Sequence, residues 1–469
     1  MTILNQVPSE SLLKNTTSRC NYCKELVPAE VYRLDYANAL TKPQVIMRKD
    51  CAEHGIQQTL LAKDAQFYWL AQGNPINQNC CSLGNCCSPA AGDRPAYLGK
   101  NALEESKHGT IDKLSTCLAL IEIVDSCNLS CPTCFANSPL GIKNERLKYH
   151  PLADIKARIE GVLAIKGHIE ILQLSGGEPT LHPNFFELVE WIRSNSKIDY
   201  LLINTNGVRL AKDLEFMSQL GELFKRFDNI QIYLQFDGTE LAGQLELRGT
   251  DLRAIRQAAI QNCARYDLPI TLAMTVTEQT LPQLWQTVSY GLQFEHVRGV
   301  SFQPCFLSGR IESQVPTNNN HFENTPISVG DIILALNSQS SGAVALQDFT
   351  PLPCGDPNCA TIGWRFRLGD KSYSPSTIGI DLAELQKNFP DRVNYNIEDL
   401  QKCGCENSAL GSLMKKMELK ESNAFRLFIK PFMDVRSWDE DRIDRCCTHV
   451  IRPDGKLDSF CRYYLKVNQ

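Results

Sequence analysis

The stretch LALIEIVDSCNLSCPTCFANS, residues 118–138, joins an apolar run to three closely spaced cysteines. Residues 118–125 carry aliphatic and β-branched side chains over the length of one strand and predict a buried strand. Cys127, Cys131 and Cys134 follow at once, in a C-x3-C-x2-C spacing. Outward from here the rhythm repeats. IEILQLSG (169–176), DYLLINTNG (199–207), NIQIYLQFDG (229–238), PITLAMTV (269–276) and VRGVSFQP (297–304) read as five further strands. PLADIKARIEGVLAI (151–165), NFFELVEWIRS (184–194), DLRAIRQAAIQNCARY (251–266) and LPQLWQTVSYGL (281–292) have the apolar spacing of helices. Strands alternating with helices imply right-handed crossovers and a parallel sheet. Six strands are too few for a closed eight-stranded barrel. The predicted fold class is therefore α/β, a partial (βα)6 barrel open on one side, with small cysteine-rich metal-binding regions before and after it.

In parallel α/β folds chemistry gathers at the carboxyl ends of the strands, and the unusual residues fall there. The first strand leads into the three cysteines. The second ends in SGGEP, with Ser175, Gly176, Gly177 and Glu178; two glycines let a backbone approach a ligand closely, and a carboxylate beside them suits an ammonium group. The third ends at Asn204, in NTNG, and the fourth in QFDG, with Gln235 and Asp237. These polar ends are expected to surround one pocket. Three thiols are an awkward number, because structural zinc takes four ligands and disulfides use pairs. A [4Fe–4S] cube normally takes four thiolates, so three leave one iron open to a small molecule.

The bulk numbers set limits. The 469 residues are 43% hydrophobic and 22% charged, as in ordinary globular proteins, and the formal net charge of −5 gives no sign of nucleic-acid binding. No apolar run reaches the ~20 residues of a membrane helix. The first residues lack the basic and apolar regions of a signal peptide, so a cytoplasmic location is expected, with a place at the membrane surface left open. Against that background 20 cysteines stand out, since disulfides are disfavoured in a reducing compartment. Cys263 and Cys305 are isolated and read as buried free thiols. The rest cluster. Cys20, Cys23, Cys51 and His54 form C-x2-C…C-x2-H, the pattern of a zinc or mononuclear iron ribbon. CCSLGNCC supplies Cys80, Cys81, Cys86 and Cys87, of which Cys80 and Cys86 are taken as ligands of an auxiliary [4Fe–4S] cluster, with Cys117 as a further candidate. Cys354, Cys359, Cys446 or its neighbour Cys447, and Cys461 are a second auxiliary set; Cys403 and Cys405 are alternatives. The expected division is residues 1–70, a metal-binding ribbon; 71–116, a cysteine-rich connector; 117–310, the barrel; and 311–469, the auxiliary-cluster region.

CNLSCPTCFA followed by SGGEP resembles the radical S-adenosylmethionine (SAM) superfamily over residues 117–304. The resemblance implies a radical SAM barrel, a cluster held by Cys127, Cys131 and Cys134, the methionine end of SAM at Gly176, Gly177 and Glu178, and the ribose near Asn204. Thr133 departs from the pattern, since many members have an aromatic residue there; here Phe135 follows the third cysteine instead. The cysteine layout of the whole chain resembles the group containing archaeal tetraether lipid synthases and hydroxymethylpterin methyltransferases. That likeness implies reductive SAM cleavage, hydrogen abstraction from a substrate C–H bond, and a low-potential electron donor such as a ferredoxin or flavodoxin. The substrate is then a lipid chain coupled carbon to carbon, which calls for an apolar channel, or a small molecule to be methylated, which calls for a small polar pocket. An iron–sulfur electron carrier without SAM turnover is the other class; SGGEP speaks against it.

Overall fold

The structure is a computed structural model of the chain and describes residues 8–37, 41–69, 116–141, 147–311, 326–352, 354–381 and 420–465. The candidate ligands Cys80 and Cys86, with Cys81, Cys87, Cys403 and Cys405, lie outside the described residues.

Two sheets organise the chain. The first is an antiparallel meander of β1 (Ser9–Arg19), β2 (Leu26–Asp35), β3 (Gln44–Cys51) and β4 (Gly55–Ala62), in that order. Ala29, Val31, Val45, Met47 and Ala62 close a small core under it. This sheet packs on the far end of the chain. Lys14 pairs with Asp439 at 2.6 Å, Thr16 donates to Asp439 at 2.7 Å, and the buried Lys49 ammonium donates to the carbonyl of Val435 at 2.7 Å.

The second sheet holds the predicted rhythm. β5 (Leu118–Val124), β6 (Ile169–Gly176), β7 (Ile198–Thr205), β8 (Ile230–Gln235), β9 (Ile270–Val276) and β10 (Val297–Pro304) lie side by side and parallel. The crossovers carry α1 (Leu152–Lys166), α2 (Phe185–Arg193), α3 (Val208–Lys212), α4 (Leu214–Arg226), α5 (Leu241–Arg248), α6 (Arg253–Ala264) and α7 (Leu284–Leu292). The helices α3, α4 and α5 lie outside the predicted set. In α4, Phe216, Met217, Leu220 and Leu223 recur at helical spacing and are buried, and Asp213 caps the first turn by accepting from the N–H of Phe216.

The C-terminal part continues this sheet. α8 (Val329–Gln339) precedes β11 (Phe349–Pro351), β12 (Thr361–Leu368), β13 (Lys371–Tyr373) and β14 (Ala424–Ile429); α9 (Glu440–Asp444) precedes β15 (Thr448–Ile451), β16 (Leu457–Ser459) and α10 (Phe460–Leu465). β14 runs parallel to β10, and β15 parallel to β5, so C-terminal strands flank both edges of the six. Among the described residues no pairing closes the ring. Along each strand one face is apolar and packs on helices. In β8, Ile230, Ile232 and Leu234 are fully buried in that core, whereas Gln231, Tyr233 and Gln235 alternate with them and face the barrel interior.

Candidate active site and metal centres

A cavity of about 770 Å³ occupies the barrel interior, and Cys127, Cys131 and Cys134 line it at the carboxyl ends of the strands. The cysteine loop is held by its backbone. Cys127 N–H donates to Pro139 and its carbonyl accepts from Gly141. Arg310 braces the other side, donating from its guanidinium to the carbonyls of Cys131 and Ser138 and from its N–H to that of Cys134. Thr133 donates to the carbonyl of Leu247 at 3.1 Å, tying the loop to α5. Phe135 joins Phe306, Phe460 and Tyr464 in an aromatic wall, with ring centroids 4.8–6.0 Å from its own.

Burial pushes the Cys127 thiol up to about 12, with the charge of Glu178 adding to the rise, and burial also raises Cys131. As bare thiols the pair would therefore stay protonated at neutral pH. A cationic metal group supplies the charge that makes such thiolates favourable. The three sulfurs belong to neither of the two described groups whose ligand atoms all lie within 4.8 Å of one another, so their spacing suits something larger than a single ion. The donor set fits an iron–sulfur cube.

Gly176, Gly177 and Glu178 line the cavity, but their first constraint is the neighbouring strand. Gly177 N–H donates to Val124 at 2.6 Å and Glu178 N–H to Ser126 at 3.1 Å. A Cβ on Gly176, whose φ is +123°, would lie 2.1 Å from the carbonyl oxygen of Val124. The Glu178 carboxylate is buried and well supplied: one oxygen accepts from the Thr180 hydroxyl and N–H and from the Thr205 hydroxyl, the other from Asn206 N–H at 2.8 Å. Its pKa is raised by burial. A carboxylate has about four acceptor positions, so the second oxygen retains capacity toward a cationic ligand.

The remaining strand-end residues divide. Asn204 and Gln235 line the cavity. Ser175 does not; its hydroxyl accepts from Asn204 at 3.2 Å and orients that side chain. Asp237 is fully buried behind the cavity wall, its carboxylate taken by Arg248 at 2.6 and 2.8 Å and by Thr275 N–H at 3.1 Å. It is Arg248 that lines the cavity, and its guanidinium also donates to the Cys131 sulfur. Arg248 was not foreseen. A single arginine near the end of a helix carries no spacing signal, and only the fold sets it between Asp237 and the cysteine loop.

At the ribbon, two hairpin ends meet. Cys20 and Cys23 sit in the β1–β2 turn, Cys51 and His54 in the β3–β4 turn, and their ligand atoms lie within 4.8 Å of one another. His54 Nδ1 is 3.6 Å from Cys20 Sγ and 3.5 Å from Cys51 Sγ, and Cys23 Sγ is 3.8 Å from Cys51 Sγ. Burial raises the Cys20 thiol, but donation from Gln57 at 3.0 Å and from nearby N–H groups outweighs it, leaving the thiol at about 6. Three thiols and an imidazole at this spacing fit one tetrahedral ion.

The second tight group is Cys117, Cys354 and Cys447, with Cys354 and Cys447 sulfurs 3.1 Å apart. Cys117 and Cys447 line the cavity at its other end, beside the start of β5. The structure does not draw Cys354 into one ligand set with Cys359, Cys446 and Cys461. The half-buried Cys359 accepts from Arg442, the buried Cys446 donates to the carbonyl of Thr448, and the buried Cys461 accepts from Met433 N–H. The reason is the period of an extended chain, which sends the neighbours Cys446 and Cys447 to opposite sides as they enter β15. Cys263 is fully buried and, like Cys305, raised by burial.

Among the described residues no helix is long and apolar enough to cross a membrane.

Comparison with known proteins places these features. Residues 121–290 match the radical SAM superfamily, and residues 12–63 match the HMPTM N-terminal zinc ribbon domain. A 7,8-dihydro-6-hydroxymethylpterin dimethyltransferase of Methanocaldococcus jannaschii is 25% identical over 511 residues, covering 96% of this chain and 93% of that protein. A GTP 3',8-cyclase of Yersinia pestis is 33% identical over 94 residues, 20% of this chain and 28% of the cyclase. Among solved structures, Streptococcus suis SuiB bound to S-adenosylmethionine matches with a TM-score of 0.34 and 18% identity, over 44% of each chain. Residues 121–290 thus carry a radical SAM domain, behind a zinc-ribbon-type domain at residues 12–63.

Proposed function

We propose that this chain methylates a small polar heterocycle of the pterin class: a radical generated from one SAM takes a C–H hydrogen to give 5'-deoxyadenosine and methionine, a second SAM supplies the methyl group and leaves as S-adenosylhomocysteine, and the electron donor supplies two electrons per methyl. The observation that carries the reading is the polarity of the barrel interior. Gln173, Gln231, Tyr233, Thr271, Ser301 and Gln303 project into the cavity from four strands, β6, β8, β9 and β10. They form a bonded layer: Tyr200 donates to Gln231 at 2.8 Å, and Gln303 to the Tyr233 hydroxyl at 2.7 Å. A hydrocarbon chain laid against this layer would strip water from its remaining donors and acceptors, at about 1–3 kcal/mol for each group left unpaired. A heterocycle with ring nitrogens and an exocyclic amide satisfies them instead. The near full-length similarity to a pterin dimethyltransferase points the same way.

In this reading Cys127, Cys131 and Cys134 hold a [4Fe–4S] cluster, and Gly176, Gly177, Glu178 and Arg248 receive the amino-acid end of SAM. When bound, cluster and SAM supply one-electron cleavage to a 5'-deoxyadenosyl radical, with the electron from a low-potential donor such as a ferredoxin or flavodoxin. The chain's own contribution is orientation and dryness. Asn204, fixed by Ser175, and Gln235, fixed by Arg256 at 3.2 Å, present amides toward the ribose and the substrate. Phe135, Phe306, Phe432 and Phe460 wall the cluster side, with Phe432 and Phe460 stacked at 4.1 Å, and keep water from a reactive intermediate. Cys20, Cys23, Cys51 and His54 hold zinc or a single iron, and Cys117 of the barrel joins Cys354 and Cys447 of the C-terminal region, residues 311–469, in an auxiliary cluster.

The test is anaerobic reconstitution with dithionite, SAM and either 7,8-dihydro-6-hydroxymethylpterin or a glycerolipid. Methylated pterin together with 5'-deoxyadenosine is the expected outcome. Lipid coupling with no pterin product would overturn the substrate class, and absence of 5'-deoxyadenosine under every condition would favour the electron carrier.

A further inference from the structure

The cavity has a second end, and its chemistry differs from the first. It continues to the amino ends of the strands, where Arg193, Asn195, Tyr200, Asn229, Arg298 and Arg426 line it. Three guanidinium groups thus converge there. Arg426 pairs with Glu421 and lies over the Trp364 ring at 4.6 Å. Arg193 donates to the carbonyl of Ile198 at 3.0 Å. Asp199 pairs with His168 at 2.7 Å. Arg298 is half-buried, and its Nη1, like Nε of Arg193, is a buried atom without a hydrogen-bond partner.

The backbone aims Arg298 inward. Strand alternation alone would place it on the face of Val300 and Phe302, which pack outward in the core. A β-bulge between Val297 and Gly299 resets the alternation, so that Val297 and Val300 both face the core while Arg298 turns to the interior. Bulges re-aim side chains in this way. Gly299 is needed at the bulge, because a Cβ there would lie 2.2 Å from the carbonyl oxygen of Arg426. A bulged strand and a buried guanidinium nitrogen with no partner are costly features for a merely structural wall.

We infer that this amino-end mouth is a recognition subsite for an anionic group, a carboxylate or phosphate, carried on a tail of the substrate and seated on Arg298. The inference rests on the polar-heterocycle reading and deepens it. From Arg298 to Pro304, at the cluster end of β10, six residue steps span about 20 Å. A bare bicyclic heterocycle is too short to fill that length. The substrate is thus an elongated molecule, with its reacting ring near Cys127 and an acidic terminus at the far mouth.

The experiment measures binding to the reconstituted holoenzyme of three probes: the unsubstituted dihydropterin, its diphosphate ester, and its aminobenzoylglutamate conjugate. One tailed probe should bind about tenfold to a hundredfold more tightly than the bare ring, as a charge-assisted contact allows. Arg298→Gln should remove that gain, and Arg298→Lys should keep part of it. The preferred tail separates phosphate from carboxylate. Equal binding of all three, or a gain that survives Arg298→Gln, overturns the subsite. Inorganic pyrophosphate provides an arm independent of the ring. If no pterin binds, the heterocycle reading fails; pyrophosphate binding weakened about tenfold by Arg298→Gln would still support the subsite, and pyrophosphate binding that is absent or insensitive to the variant would overturn it.

Discussion

Gly177 is the point where the SGGEP loop touches the cysteine loop, so Gly177→Ala tests the geometry of the site most directly. An added Cβ would stand 2.2 Å from the Ser126 carbonyl oxygen, 2.5 Å from its carbon and 2.7 Å from the Asp125 oxygen. All three are backbone atoms, and real Cβ atoms do not approach closer than 3.0 Å, so the loops must part by at least 3.0 − 2.2 = 0.8 Å. That movement stretches the bonds from Gly177 to Val124 and from Glu178 to Ser126, the latter one residue before Cys127. Two weakened backbone bonds cost about 0.5–1.5 kcal/mol each and the overpacking about 1–3 kcal/mol, giving a loss of about 4 kcal/mol. For a core of this size the melting temperature should fall by about 10 °C. Displacement of Cys127 should also lower iron per chain after reconstitution. Calorimetry and iron analysis read both effects. Gly161→Ala is the control, since nothing lies within 4 Å of its added Cβ in α1, and helix propensity there favours alanine by about 0.5–1 kcal/mol. A Gly177→Ala protein that melts within a degree of wild type with full iron would refute the reasoning.

Three further outcomes follow from the same structure. Arg248→Leu leaves the Asp237 carboxylate fully buried with only Thr275 N–H as a described partner, a loss of about 3–5 kcal/mol; pairing it with Asp237→Leu should recover most of the stability but not SAM binding, measured by denaturation and equilibrium dialysis. Asp213 has its pKa lowered, chiefly by the N–H of Phe216, so its capping of α4 contributes above the unfolded pKa near 3.9 and is lost as pH falls through the lower folded value. Asp213→Ala should cost about 1 kcal/mol at pH 7 and nothing below about pH 2, read from melts across pH. Cys51→Ser should remove one equivalent of zinc or iron from the ribbon, by elemental analysis, and expose β1–β4 to proteolysis; unchanged metal content would exclude Cys51 as a ligand.

The legible part of this protein was what spacing along the chain can encode. The βα rhythm fixed six strands because each needs an apolar outer face against a helix, and the C-x3-C-x2-C loop and SGGEP fell at strand ends because the local sequence places them there. The meeting of Cys20, Cys23, Cys51 and His54 was readable for the same reason: each pair lies at one hairpin end. Other features depend on which distant segments meet. Arg248 became a wall residue, and Asp237 a buried support, through packing of α5 against the cysteine loop. The partnership of Cys117 with Cys354 and Cys447 required β15 to add beside β5, joining residues more than 300 positions apart. The inward turn of Arg298 depended on a bulge that strand alternation would not reveal. Periodicity records which face of an element is buried, but the chemistry of an interior depends on which faces then meet across it, and only the folded chain decides that.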